Sequence, residues 1–159
     1  GYSYTILKDD EGHRYLYSYV IMYQWGWESV VKKKKYLLDK ATDFDKAKFF
    51  GASAQRTYLI YATGSKLYAY DYVAEKVQLL QDFGDQEITL LHCDLLVETG
   101  AGDDFFYVGT YDPSLPKETG GTLTKYRVVN DPNNIIVEKV PGFSWSGLCK
   151  IKSIDFKKN

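Results

Sequence analysis

The chain has 159 residues, a formal net charge of −1, 45% hydrophobic and 26% charged residues, the balance of a globular domain with its own core. A charge this close to neutral excludes a general affinity for nucleic acid or for an anionic membrane surface. No window reaches transmembrane length and none reads as a signal peptide; a first residue of Gly1 rather than Met is expected of a processed or truncated product, its targeting signal lost.

Fifteen Tyr, eight Phe and three Trp raise the aromatic share to 16%, against a single Met. Tyr favours strands and keeps its ring packed while its hydroxyl stays wet, so the bias predicts sheets with one accessible face.

In chain order, apolar runs at 4–7 and 14–20 flank a turn-forming stretch at 9–12. Tyr23, Trp25 and Trp27 follow around Gly26, in what reads as an extended connection. The basic run 32–35 suits a solvated loop or a lysine-defended edge strand, and 36–38 closes the unit. Residues 42–45 read as loop, and little helix is expected anywhere. Runs at 47–50, 58–61, 66–72 and 77–80 make a second unit. Those at 88–93, 105–108, 122–128 and 135–140 make a third, and a lone strand is expected at 147–156.

The units share a Leu with a Tyr three residues on: Leu16/Tyr19, Leu67/Tyr70 and Leu123/Tyr126. Each pair follows a turn that follows another apolar run, a hairpin three times over. Four short strands recurring at a spacing of roughly 50 residues are the pattern of propeller blades. The expected fold is therefore all-β: a β-propeller fragment of about three four-stranded antiparallel blades, at 1–40 plus 147–156, 47–82 and 88–142, in one partial domain over 1–159. The terminal strand supplies the innermost neighbour that the opening unit lacks. It does so within the chain or in a homodimer that exchanges this strand and closes a six-bladed ring. Otherwise further blades precede the fragment.

The Tyr-rich units, the run at 145–148 (Trp-Ser-Gly-Leu) and the segment at 151–156 resemble the C-terminal end of PKD-like lipoproteins of the Bacteroidetes. The resemblance spans the chain but only the propeller portion of that family. It implies an exported lipoprotein at the cell surface or outer membrane, in a system capturing glycans or other nutrients, and it carries over no catalytic residue.

Catalytic motifs are missing: there is no P-loop, dinucleotide fingerprint, nucleophile elbow or H-E-x-x-H. His92 and Cys93 are adjacent on a predicted strand and so point to opposite faces, which weighs against a site shared with Cys149. Both cysteines are expected as free buried thiols, with a Cys93–Cys149 pair the alternative. The acidic clusters at 9–11, 43/45 and 103–104 fall in turns, where Asp caps local backbone donors, and they lack calcium-loop spacing. No metal or cofactor is expected. Asp94 is the one carboxylate candidate for the interior, and Trp145 is expected to pack at a unit junction.

The candidate binding residues are Tyr23, Trp25, Trp27, Lys33 and Lys35: aromatic faces for stacking on sugars or a protein, with lysines adding charge for an acidic glycan. The expected function is a non-catalytic ligand- or partner-binding propeller module. One alternative is part of a propeller glycosidase or lyase completed by missing blades, and another is an architectural spacer.

Overall fold

The computed structural model describes residues 2–24, 26–41, 43–47, 49–52, 58–94, 104–131 and 133–154. Eleven strands form three antiparallel sheets, and the only helical element among these residues is a 3-10 turn at Phe44–Lys46. The first sheet runs β1 (Tyr2–Lys8), β2 (Arg14–Gln24), β3 (Trp27–Leu37). The second runs β4 (Phe49–Ala52), β5 (Tyr58–Thr63), β6 (Lys66–Asp71), β7 (Lys76–Asp82). The third runs β8 (Glu87–Asp94), β9 (Asp104–Tyr111), β10 (Gly121–Asn130), β11 (Ile135–Leu148).

The sheets stack face to face, and the second lies in the middle. Leu59, Tyr61, Tyr68, Tyr70 and Tyr72 of the middle sheet and its exit turn pack with Leu16, Leu38, Ala41 and Phe44. Tyr58, Ile60, Ala62 and Leu67, on the opposite face, pack with Ile88, Leu91, Phe106, Val108, Tyr126 and Val128 of the third. Side chains alternate between faces along a strand, so burial on both faces makes residues 58–62 a continuous buried run. At their margins β4 lies against β8 and β7 against β11. The described residues make a stack of three sheets and not a closed ring.

The shared Leu/Tyr pattern acquires a physical meaning in this stack. Leu16 and Leu67 each face the sheet that follows, while Tyr70 and Tyr126 each face the sheet that precedes. A three-residue offset on one strand must place the two on opposite faces. Each sheet thus carries a Leu side and a Tyr side, and two such pairings build the core.

Four expectations are corrected. Residues 23–27 are not a long connection. β2 runs to Gln24 and β3 starts at Trp27, with Gly26 at φ 79° in the turn between them. The basic run 32–35 accordingly lies inside β3, an edge strand, the lysine-defended form of the two expected.

The terminal segment does not complete the first sheet, which has three strands among the described residues. Gly147 and Leu148 end β11, with Leu148 opposite Gly121, and residues 149–154 form no strand. Residues 155 and 156 lie outside the described residues. The cause is local: after Gly147 (φ 70°) the chain crosses its own sheet, where the Lys150 N–H donates to the Lys117 carbonyl at 2.7 Å. Gly121 and Gly109 permit that crossing. A Cβ on Gly121 would collide with the Cys149 carbonyl, and one on Gly109 would stand 2.8 Å from the Leu90 Cβ and 3.5 Å from the Ile151 Cβ.

Cys149 is consequently a free, exposed thiol outside any strand rather than a buried one. Trp145 lies within β11 and is 44% exposed, so it does not pack at a junction between sheets.

Candidate functional site

The first sheet is built around the β2–β3 hairpin. β1 pairs with β2 from Tyr2↔Val20 to Lys8↔Arg14, and β2 and β3 pair out to Gln24↔Trp27. Residues 21–24 and 27–30 are the end of this hairpin, referred to below as the arm. Strand formers on both sides of the turn, Ile21 and Tyr23 against Val30, favour this over an irregular loop.

Trp25 lies outside the described residues, and for Tyr23, Trp27 and Lys33 the backbone alone is described. Tyr19 pairs with Lys33, Tyr17 with Lys35 and Tyr23 with Glu28, so positions 17, 19, 23, 33 and 35 share one face by alternation. Position 27 pairs with Gln24 and falls on the other face. The bulge between Val20 and Ile21 keeps this assignment consistent by skipping one residue of β3.

Lys35 shows what that face does with its charges. Its ammonium sits 3.7 Å from the Tyr15 ring centroid and 5.9 Å from that of Tyr17. Tyr15 and Tyr17 are themselves 6.4 Å apart. The ring quadrupoles attract the cation, and Lys35 stays exposed, so the arrangement offers stacking surface and positive charge side by side.

Two clusters escaped the sequence reading. On the third sheet, the Lys125 ammonium lies 4.6 Å from the Phe105 ring, 5.5 Å from Tyr107 and 4.9 Å from Phe143. Phe143 meets Trp145 edge-on at 5.9 Å. The signal was present as alternation at 105/107, 123/125 and 143/145, but the turn-like Pro141-Gly142 pair hid the continuity of β11.

The second cluster joins two turns. His13 Nδ1 hydrogen-bonds Asp39 Oδ2, whose other oxygen accepts the Arg14 N–H at 3.1 Å. Asp9 Oδ1 accepts the His13 and Glu11 N–H groups at 2.8 and 3.1 Å. The Asp39 hydrogen bond, followed by its charge, holds His13 above its ordinary pKa; the same bond, with that from Arg14 N–H, holds Asp39 below its own. His92 stands opposite Tyr107 and Cys93 opposite Phe106, on alternate faces.

The acidic clusters that the structure describes behave as turn formers. Asp9 caps its own hairpin as above, and Asp43 adopts φ 53° at the entry to the 3-10 turn. Residue 103 and the side chains of Asp94 and Asp104 lie outside the described residues. Neither a family model, a curated protein nor a solved structure matches this chain.

Proposed function

We propose that the chain is a non-catalytic binding module whose three sheets are blades of a β-propeller, and that the arm formed by β2 and β3 receives a glycan or a protein partner. The observation that carries this reading is the arm itself. It bears Tyr23, Trp25 and Trp27 in sequence, and it joins a face where Lys35 lies over Tyr15 and Tyr17. Exposed aromatic residues bind sugar faces or anchor protein interfaces, and neighbouring lysines favour an acidic ligand.

The stacking of consecutive sheets through opposite faces supports the propeller geometry, in which each blade contacts only its neighbours. The resemblance to PKD-like lipoproteins adds the setting: an exported, surface-anchored protein of an outer-membrane uptake system. A glycan array with the intact protein, screened for binding and turnover together, tests the reading. Binding lost in the Trp25→Ala/Trp27→Ala double variant supports it. Turnover would favour a propeller glycosidase or lyase, and absence of any ligand would favour a spacer.

A further inference from the structure

Residues 149–151 cover part of the Leu123 face of the third sheet, and their course shows which part stays open. Cys149 lies over Gly121 of β10, and Ile151 lies over Gly109 of β9, beside Leu90 of β8. The crossing thus runs from β10 toward β8 and away from β11, the outermost strand. With that segment in place, Phe143 and Trp145 of β11 remain 41% and 44% exposed.

Their place at the margin of the sheet keeps them accessible. Trp145 stands opposite Leu123 as Gln81 stands opposite Leu67 in the middle sheet. Gln81 is exposed although the third sheet packs on that face around Leu67. Tyr36 holds the same place opposite Leu16 and is half-buried. A neighbouring sheet does not seal this margin.

Lys125 is half-buried beside it. Its ammonium lies 4.9 Å from the Phe143 ring, 4.6 Å from Phe105 and 5.5 Å from Tyr107. Rings attract a cation, but they do not take up its three N–H donors as a carboxylate does. Among the described residues no carboxylate and no hydrogen-bond acceptor meets this ammonium. Arg127, the next cation along the same face, is already paired with Glu138 at 2.9 Å. Lys125 is left as an uncompensated charge next to two open aromatic rings.

We propose that Phe143, Trp145 and Lys125 form a second binding site, which takes an acidic sugar residue: its C–H face packs on the rings and its carboxylate meets the Lys125 ammonium. Phe143 and Trp145 meet at 88° and 5.9 Å, so they make a corner for one ring-sized group. A stable protein interface takes about 800 Å² from each partner, which two side chains do not supply. A pyranose offers C–H groups to an aromatic face and keeps its hydroxyls in water, and a uronic acid adds one carboxylate for one ammonium. The site lies on a different sheet from the arm and uses none of its residues.

Titration of the intact chain with oligomers of galacturonic, glucuronic and mannuronic acid tests the proposal, with the methyl ester of each as the neutral control. The Trp145 indole N–H and the β11 amides, followed by NMR, report binding. At least one acid should shift these signals saturably, and its ester should bind about tenfold more weakly, the scale of a lost charge-assisted hydrogen bond. Lys125→Met should weaken the acid by the same factor and leave the ester unchanged, whereas Lys125→Arg should keep the acid bound. Trp145→Ala should weaken acid and ester alike. Circular dichroism checks the strand content of each variant.

Absence of a shift with every acid overturns the proposal, as does equal binding of acid and ester. Undiminished binding of the acid by Lys125→Met also overturns it. The Trp25→Ala/Trp27→Ala variant should titrate like the parent at β11. A titration abolished in that variant would place the acid on the arm and sink the second site, so the two sites fail separately.

Discussion

Gln78 and Ile135 are joined twice across the gap between two sheets: the Gln78 side chain donates to the Ile135 carbonyl at 2.5 Å and accepts the Ile135 N–H at 3.0 Å. Gln78 lies on β7 and Ile135 opens β11, the outermost strands of their sheets. A primary amide offers a donor and an acceptor at the spacing of a peptide group, so this one side chain serves Ile135 as a strand neighbour would. Gln78→Ala should destabilise the fold by about 1–2 kcal/mol, the scale for losing such bonds at a partly buried site. Gln78→Glu should cost more at neutral pH, because a carboxylate then faces the Ile135 carbonyl, and should recover below about pH 4 as the carboxyl regains a proton. Urea unfolding at the two pH values, with amide exchange at Ile135, measures both effects.

The middle sheet gives a second prediction, because both cores depend on it. Tyr61 packs edge-on to Phe44 at 5.1 Å and stacks on Tyr68 at 5.3 Å, while Leu67 is buried in the other core. Tyr61→Ala should cost about 3–5 kcal/mol and Leu67→Ala about 2–5 kcal/mol, through lost burial and the cavity left behind. Each should lower the midpoint of one cooperative transition rather than release a single sheet. Leu79→Ala, at a position 51% exposed, should stay within about 0.5 kcal/mol.

These residues also show why some of the architecture was legible in the sequence. The Leu/Tyr spacing survives because it answers a geometric demand, one side chain for the sheet behind and one for the sheet ahead. Hairpins announced themselves through turns such as 9–12, where Asp9 does cap the backbone. The arm was hidden because Trp25-Gly26-Trp27 interrupts the apolar pattern as a loop would, although Gly26 needs only a tight turn. The end of β11 was hidden for the opposite reason. Pro141 and Gly142 read as a chain reversal, yet an edge strand absorbs them as an irregularity between Tyr126↔Lys139 and Thr124↔Ser144. The Lys125 cluster needs three strands brought into register, which no local pattern specifies.

A third prediction concerns the chain crossing at residues 149–151. Gly121 faces the Cys149 carbonyl with no space for a Cβ, and a backbone obstacle cannot rotate away as a side-chain tip can. Gly121→Ala should displace the crossing segment and cost about 1–3 kcal/mol, the usual penalty of overpacking. The local readout is the Lys150 amide, bonded to Lys117 O at 2.7 Å. Its exchange should accelerate in the variant, while amides of β5 and β6 shift only with global stability. Unchanged protection of Lys150 would show that the segment is not seated on Gly121.

The pair His13–Asp39 makes the fold respond to pH, and the sign follows from the direction of each shift. His13 is raised above 6.5, so its contribution is complete below pH 6.5 and is lost as pH climbs through the raised value. Asp39 is lowered below 3.8, so its contribution is complete above pH 3.8 and is lost as pH falls through the lowered value. The contact between the β1–β2 turn and the segment after β3 is therefore strongest between 3.8 and 6.5. Both groups are solvent-exposed, and salt should weaken the effect. Asp39→Asn keeps an oxygen for the Arg14 N–H but removes the charge that favours imidazolium. Titration of the His13 ring followed by NMR should give a pKa above 6.5 in the parent and a value moved down toward 6.5 in the variant. Equal values in the two proteins would mean that the imidazole and the carboxylate do not meet in solution.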